Sequence, residues 1–153
     1  MKLVVVGVGY WGPKLVRNFL ASEEIETVMA VDLEEKKLSK LKREFPSVEI
    51  SKDLESCLQT ADLAVIATPV STHFELASRA IQSGCHVLVE KPMTATVEQG
   101  IKLVDLACEN NVLLMVDHTF LFHPAVQKMK EVVDRGDLGK ALYFDSVRVN
   151  LGL

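Results

Sequence analysis

The stretch Val4-Val5-Val6-Gly7-Val8-Gly9-Tyr10-Trp11-Gly12-Pro13 decides how this chain is read, because an apolar strand enters a glycine turn and the turn opens a helix. Gly7, Gly9 and Gly12 fit G-x-G-x-x-G, and each position has its own steric task. The first permits the tight turn, the second lets backbone amides approach a pyrophosphate where a Cβ would collide, and the third lets the helix pack closely on the strand. Pro13 suits a first helical turn, where an N–H has no intrahelical partner and a fixed φ is already helical. The free amides at that helix start, with the positive end of the helix dipole, make an anion site.

Three glycines near a turn are a weak signal by themselves. Their context strengthens them: the apolar run before, Leu15, Val16, Phe19 and Leu20 at helical spacing after, and an acid, Asp32, closing the strand Thr27 to Val31 about 20 residues further on. A carboxylate there accepts hydrogen bonds from both hydroxyls of an adenosine ribose and repels a 2′-phosphate, so the expected cofactor is NAD, with NADP less favoured. Lys36 and Lys37 follow closely and partly offset that repulsion.

The 153 residues, 48% hydrophobic and 25% charged, are those of one ordinary globular domain with a proper core. A net charge of -4 leaves no electrostatic footprint for nucleic acid or an anionic membrane. No apolar run reaches the length of a membrane span and no signal-peptide pattern opens the chain, so a cytoplasmic location is expected. Cys57, Cys85 and Cys108 are odd in number and widely spaced. They argue against a disulfide framework or a thiolate metal site, and are read as buried small hydrophobes.

Strands and helices then alternate. A charged helix over Glu34 to Glu44 turns Leu38 and Leu41 inward and its charges to solvent; Val48 to Ile50 is a short strand, Leu54 to Leu58 a small helix, and Leu63 to Ala67 an apolar strand covered on both faces. The alternation predicts a doubly wound α/β sheet. Thr72 and Glu75 fit a capping box for a helix with Phe74, Ala77 and Ile81 inward, ending at Gly84. A fifth strand, His86 to Val89, runs into Glu90-Lys91-Pro92. Thr96 and Gln99 cap a helix with Ile101, Val104, Ala107 and Cys108 inward, and Val112 to Val116 is a sixth strand. Pro124 opens a last helix with Val126, Met129, Val132 and Val133 inward.

In a parallel sheet the loops after these strands share the rim where ligands bind. Thr68, Pro69 and His73 leave the fourth strand there, and His73 is equally well read as a polar residue of a first helical turn. Glu90 and Lys91 leave the fifth, where a lysine can hydrogen-bond a substrate hydroxyl and, if buried, exchange protons near neutral pH. Pro92 can hold a fixed turn, cis or trans, that aims the lysine. Spacing alone allows a plain surface ion pair before a proline-stopped strand. The run Asp117 to Pro124 after the sixth strand, with His118 and His123, is rich in groups able to bond a polar substrate.

Gly7-Val8-Gly9-Tyr10-Trp11-Gly12, Ala67-Thr68-Pro69, His73, Glu90-Lys91-Pro92 and a proline-led helix after strand six together resemble the Gfo/Idh/MocA family of NAD(P)-dependent sugar and cyclitol dehydrogenases. Trp11 beside Tyr10, and Asp117-His118-Thr119-Phe120, look most like the branch that oxidises UDP-linked N-acetylamino sugars. The resemblance implies a Rossmann sheet of order 3-2-1-4-5-6. It implies that Gly7, Gly9, Tyr10, Trp11 and Gly12 hold the pyrophosphate end, Asp32 the ribose, Thr68, Pro69 and His73 the dinucleotide, and Glu90 the nicotinamide ribose. Lys91 would be the catalytic residue, bonding the hydroxyl oxidised, with His118 and His123 near the substrate; no metal is implied. Cys85 departs from the family's usual lysine.

Such proteins continue into a second α+β domain that supplies a histidine as the main base, and no residue here matches it. The resemblance divides this chain into a dinucleotide-binding domain, 1–123, and a connecting helix with the first strand of the substrate domain, 124–153. Ala141 to Leu153 as an unpaired strand would invite homo-oligomer contacts or aggregation. The expected function is the NAD-binding part of a dehydrogenase acting on a sugar or nucleotide-sugar hydroxyl, incomplete for catalysis alone. The alternative is a free-standing dinucleotide-binding or redox-sensing module working through a partner chain.

Overall fold

A computed structural model of the chain describes residues 1–147 and 149. Six parallel strands form one sheet in the order β3-β2-β1-β4-β5-β6: β1 Lys2–Val6, β2 Thr27–Val31, β3 Glu49–Ser51, β4 Leu63–Ile66, β5 His86–Val89 and β6 Leu114–Val116. Between them run α1 Gly12–Leu20, α2 Glu35–Glu44, α3 Leu54–Leu58, α4 Val70–Gln82 and α5 Val97–Glu109. The doubly wound sheet and its strand order are those expected.

Alternation along β1 explains why both faces are covered. Leu3 and Val5 join a core with Val16 of α1 and Leu38 and Leu41 of α2. Val4 and Val6 join another with Leu54 and Leu58 of α3, Ala77, Ala80 and Ile81 of α4, and Leu103 and Ala107 of α5. Successive strand side chains point to opposite faces, so an unbroken apolar run is stable only with helices on both. Each fully buried Leu, Ile or Val contributes about 1.5–3 kcal/mol.

Several expectations are corrected. α4 begins at Val70 behind Pro69, not at a Thr72 cap, and no side chain caps it. The Thr72 hydroxyl lies 2.8 Å from both the Pro69 carbonyl and the Thr68 hydroxyl, and Glu75 pairs with Arg79 one turn on. α5 buries Gly100, Leu103 and Ala107, while Ile101 and Val104 are exposed. Two apolar stripes one residue apart competed, and the one with small residues won because α5 packs on α4 and under the 93–94 turn, where a Cβ on Gly100 would lie 3.1 Å from Met93 Cε. Cys57 and Cys85 are buried, and burial pushes both thiols up, but Cys108 is exposed on the outer face of α5. β3 starts one residue late, and β6 starts at Leu114 because the amide of Val112 still closes α5 on Ala107.

The described residues divide into two compact units between Asp117 and His118. In the second, a 3-10 turn (Thr119–Phe122) precedes α6 (Pro124–Asp134), whose amino end is capped by His123 Nδ1 accepting from the Ala125 amide at 3.2 Å. The inward stripe expected of α6 is only partly covered there: Val126 and Val132 are half-buried, Met129 and Val133 exposed, the 3-10 turn being the element that packs on it among the described residues of its own unit. The expected strand over Ala141 to Leu153 is not formed by residues 141–147. A strand needs a neighbour to complete its ladder, and the six that form all pair within one sheet. Residues 148 and 150–153 of that expected strand lie outside the described residues.

Candidate functional site

Parallel pairing brings the carboxyl ends of the strands to one edge, and the register aligns them. Val6 lies beside Val31 and Ile66, Ile66 beside Val89, and Val89 beside Val116. The next residue along each strand donates its amide to a neighbour's last carbonyl: Gly7 to Val31 and Ala67 to Val6 at 2.8 Å, Glu90 to Ile66 and Asp117 to Val89 at 2.9 Å. One row therefore carries the glycine loop, Asp32, Thr68, Glu90 with Lys91, and Asp117. Ligands of open α/β sheets bind at this edge.

In the glycine loop two positions are dictated by protein atoms. Gly7 has φ +93°, and a Cβ there would lie 2.7 Å from the Ala67 carbonyl oxygen and 2.8 Å from Thr68 Cγ2. A Cβ on Gly12 would collide with the Gly7 carbonyl oxygen, so the start of α1 rests directly on the turn. Gly9 differs. No atom lies within 4 Å of where its Cβ would be, and its side of the loop is open. No side chain caps α1, and among the described residues no partner accepts from the amides of Gly9, Tyr10 or Gly12. Open space above unpaired amides at a helix start fits a pyrophosphate. Tyr10 and Trp11, both exposed, meet edge to face at 5.3 Å, and Lys14 Nζ sits 3.6 Å from the Tyr10 and 4.2 Å from the Trp11 ring centroid. That places a cation beside the loop.

Asp32 ties this loop to the end of β2. Its Oδ2 accepts from the Val8 amide and its Oδ1 from the Glu34 amide, both at 2.9 Å. Each carboxylate oxygen has a second lone pair, so ribose hydroxyls can still be accepted. Lys37 forms an ion pair with Glu34 at 2.5 Å. The Glu34 carboxylate, and secondarily the Asp32 charge, hold the Lys37 ammonium above its usual range.

The turn after β5 is built from side chains. Glu90 is 9% exposed, and its Oε2 accepts from the Lys91 amide at 3.2 Å. Burial first, then the negative charge of Asp117, raise its carboxyl above the ordinary carboxylate range, with the Lys91 N–H opposing. The Lys91–Pro92 peptide is cis. Lys91 itself is exposed. In the sequence Asp117 stands out only as part of the run Asp117 to Pro124; the β5–β6 register is what puts it beside Glu90.

His73 was expected to line the dinucleotide. It is instead 1% exposed, with Nε2 2.8 Å from the Thr68 carbonyl oxygen and Nδ1 2.9 Å from that of Pro92. Both nitrogens are engaged by main chain. Thr68 is half-buried and Pro69 exposed on the same rim. His118 and His123 lie in the second unit and are exposed, with His123 serving as the cap of α6.

Among known proteins, residues 1–118 match the model of an oxidoreductase family with an NAD-binding Rossmann fold, Gfo/Idh/MocA. The chain is 32% identical over 149 residues, 96% of its length, to 1-carboxy-3-chloro-3,4-dihydroxycyclo hexa-1,5-diene dehydrogenase of Comamonas testosteroni, and covers 38% of that protein. It is 33% identical over 134 residues, 86% of its length, to UDP-N-acetylglucosamine 3-dehydrogenase of Acidithiobacillus ferrooxidans, covering 41% of it. The WlbA dehydrogenase of Bordetella pertussis, solved with NADH and UDP-GlcNAcA, superposes with a TM-score of 0.85 at 25% identity over 92% of this chain and 41% of that one. The chain thus spans about two fifths of the length of these relatives. Its sheet edge, its open glycine loop and this match over most of its length converge: the chain belongs to the Gfo/Idh/MocA oxidoreductase family and carries that family's NAD(P)-binding Rossmann domain.

Proposed function

We propose that this chain binds NAD(H) in preference to NADP(H) and serves a dehydrogenase that oxidises a hydroxyl of a sugar, most closely a nucleotide sugar. The observation that carries the cofactor reading is Asp32. Its carboxylate is held beside the glycine loop by the Val8 and Glu34 amides, so a fixed negative charge stands where a 2′-phosphate would have to enter. Lys37 does not cancel that charge for a phosphate, because its ammonium is engaged by Glu34.

A bound nicotinamide supplies the acceptor for hydride. The chain's own residues supply position and polarity. The amides of Gly9, Tyr10 and Gly12 hold the pyrophosphate, Asp32 the adenosine ribose, and Glu90 the second ribose. Lys91 donates a hydrogen bond that orients the substrate hydroxyl oxygen. Bringing the two reactants into contact is most of the catalytic effect. Two of the three relatives named above, the UDP-N-acetylglucosamine 3-dehydrogenase and the WlbA dehydrogenase solved with UDP-GlcNAcA, point to a UDP-linked amino sugar or its acid, and the similarity to them supports the substrate class. Residues 124–153 are proposed to belong with the substrate-binding part.

Calorimetric titration of the purified chain with NADH and NADPH, repeated on Asp32→Ala, tests this. NADH should bind about tenfold or more tighter than NADPH, a difference of about 1.4 kcal/mol, and the variant should lose that preference. Equal binding of the two cofactors by the parent chain, or binding of neither, would overturn the cofactor reading.

A further inference from the structure

The strongest unexplained contact is the buried His73. Both of its ring nitrogens face carbonyl oxygens, at 2.8 and 2.9 Å, and a carbonyl oxygen can only accept. A neutral imidazole has one N–H. In either tautomer a nitrogen lone pair would point at an oxygen lone pair at hydrogen-bond distance, in a site 1% exposed where no water can relieve it. Turning the ring over offers no escape, because it replaces both nitrogens with carbons and abandons both carbonyls.

We propose that His73 works as an imidazolium, donating one N–H to the Thr68 carbonyl and the other to that of Pro92, and that this clasp positions Lys91. Charge-assisted bonds on both sides offset the burial of the ring and the opposing dipole of α4, whose second turn His73 enters. The clasp joins the loop after β4 to the turn after β5 across the sheet edge. Lys91 then has its main chain held from both directions: its amide by the Glu90 carboxyl, and the next residue's carbonyl by His73. No hydrogen bond or salt bridge of the described residues holds its exposed ammonium, so the turn sets the point on the rim from which this flexible side chain reaches. The meaning of that aim for a substrate rests on the function proposed above; the clasp does not.

The test uses the chain labelled uniformly with nitrogen-15 and carbon-13. With His73 assigned by its loss in His73→Leu, both of its ring nitrogens should carry a proton at neutral pH. Each should also show scalar coupling through its hydrogen bond, Nε2 to the Thr68 carbonyl carbon and Nδ1 to that of Pro92. One unprotonated ring nitrogen overturns the clasp. This is read in the parent chain even if the variant fails to fold, when selective labelling supplies the assignment. In a folded His73→Leu, the amide signals of Thr68, Lys91 and Met93 should shift and exchange with solvent at least tenfold faster, while those of β2 stay unchanged; unmoved Lys91 and Met93 signals overturn the positioning role. NADH binding, measured in parallel, should weaken about tenfold in the variant. A parent chain that binds no NADH, yet shows the doubly protonated ring, refutes the proposed function and leaves the clasp standing.

Discussion

The glycine loop after β1 and the Glu90-Lys91-Pro92 turn after β5 occupy one sheet edge and are held in opposite ways. The loop is shaped by absent side chains and main-chain bonds, with the carboxylate of the half-buried Asp32 accepting from its Val8 amide at 2.9 Å. The turn is shaped by two buried titratable side chains, His73 and Glu90, acting on backbone atoms. Close packing should therefore make the loop intolerant of added atoms at Gly7 and Gly12. The turn should accept isosteric changes and respond to protonation. Where a site must cradle an anion with backbone amides, bulk is the hazard; where it must aim a side chain, the groups that aim it can be charged.

The largest effect that would sharpen this contrast is at Gly12. Alanine there drives a Cβ into the Gly7 carbonyl oxygen, and neither backbone can retreat without lifting α1 from the sheet. Such overpacking should destabilise the chain by about 3 kcal/mol, seen as a lower denaturation midpoint in urea. An unchanged midpoint would mean the loop has slack that its contacts do not show.

Asp32→Asn should come next. The side chain keeps its shape but has one oxygen and one NH2 group, so one of the two amides now held, Val8 or Glu34, must face a donor. Leaving one amide of this half-buried site unmatched should cost about 1 kcal/mol, the low end for an unsatisfied donor, in the same urea experiment, well short of the loss expected of Gly12→Ala. A loss as large as that of Gly12→Ala would break the distinction between steric and polar support.

Glu90→Gln probes the other region through pH. The Glu90 carboxyl titrates above its ordinary 4.5 in the folded chain, chiefly through burial and then through Asp117. A group raised in the folded state contributes stability fully present below its unfolded value and lost as pH rises through its folded value. The parent chain should therefore lose thermal stability as pH rises from about 4.5 through the raised folded value, and Glu90→Gln should flatten that slope. At neutral pH the variant should be at least as stable as the parent, since its amide oxygen can still accept from Lys91. A variant that keeps the slope, or is less stable at neutral pH, would show that the Glu90 charge is not what the turn resists.

The same contrast governs how much was legible in the sequence. The doubly wound alternation, the rim position of Asp32 and the glycine turn follow from period, glycine spacing and the parallel rule, all local or topological, while the strand order is what the family resemblance implied. β5 and α3 were bounded residue for residue. What failed depended on neighbours far along the chain. Thr72 and Glu75 have the spacing of a capping box, but Pro69 starts α4 one turn earlier, which carries His73 from a first turn facing the rim to a buried position between two loops. In α5 two apolar stripes were equally periodic, and only contact with α4 and the Met93 turn selects the one containing Gly100. The pairing of Glu90 with Asp117 needs the β5–β6 register, which no local pattern encodes.

The smallest expected change in stability is the one that speaks most directly to ligand. Gly9 has no protein atom within 4 Å of a would-be Cβ and no left-handed φ, so nothing inside the chain requires glycine there. Gly9→Ala should shift the urea midpoint by less than about 0.5 kcal/mol, in contrast to Gly12→Ala one helical turn away. If the open side of the loop is where a pyrophosphate meets the Gly9 and Tyr10 amides, the added methyl should weaken NADH about tenfold or more. A variant as stable as the parent but binding NADH poorly would assign Gly7 and Gly12 to the fold and Gly9 to the cofactor. Full NADH affinity in that variant would mean the dinucleotide, if it binds, takes its phosphates from another part of the edge, and the loop's open side would then have no role in binding.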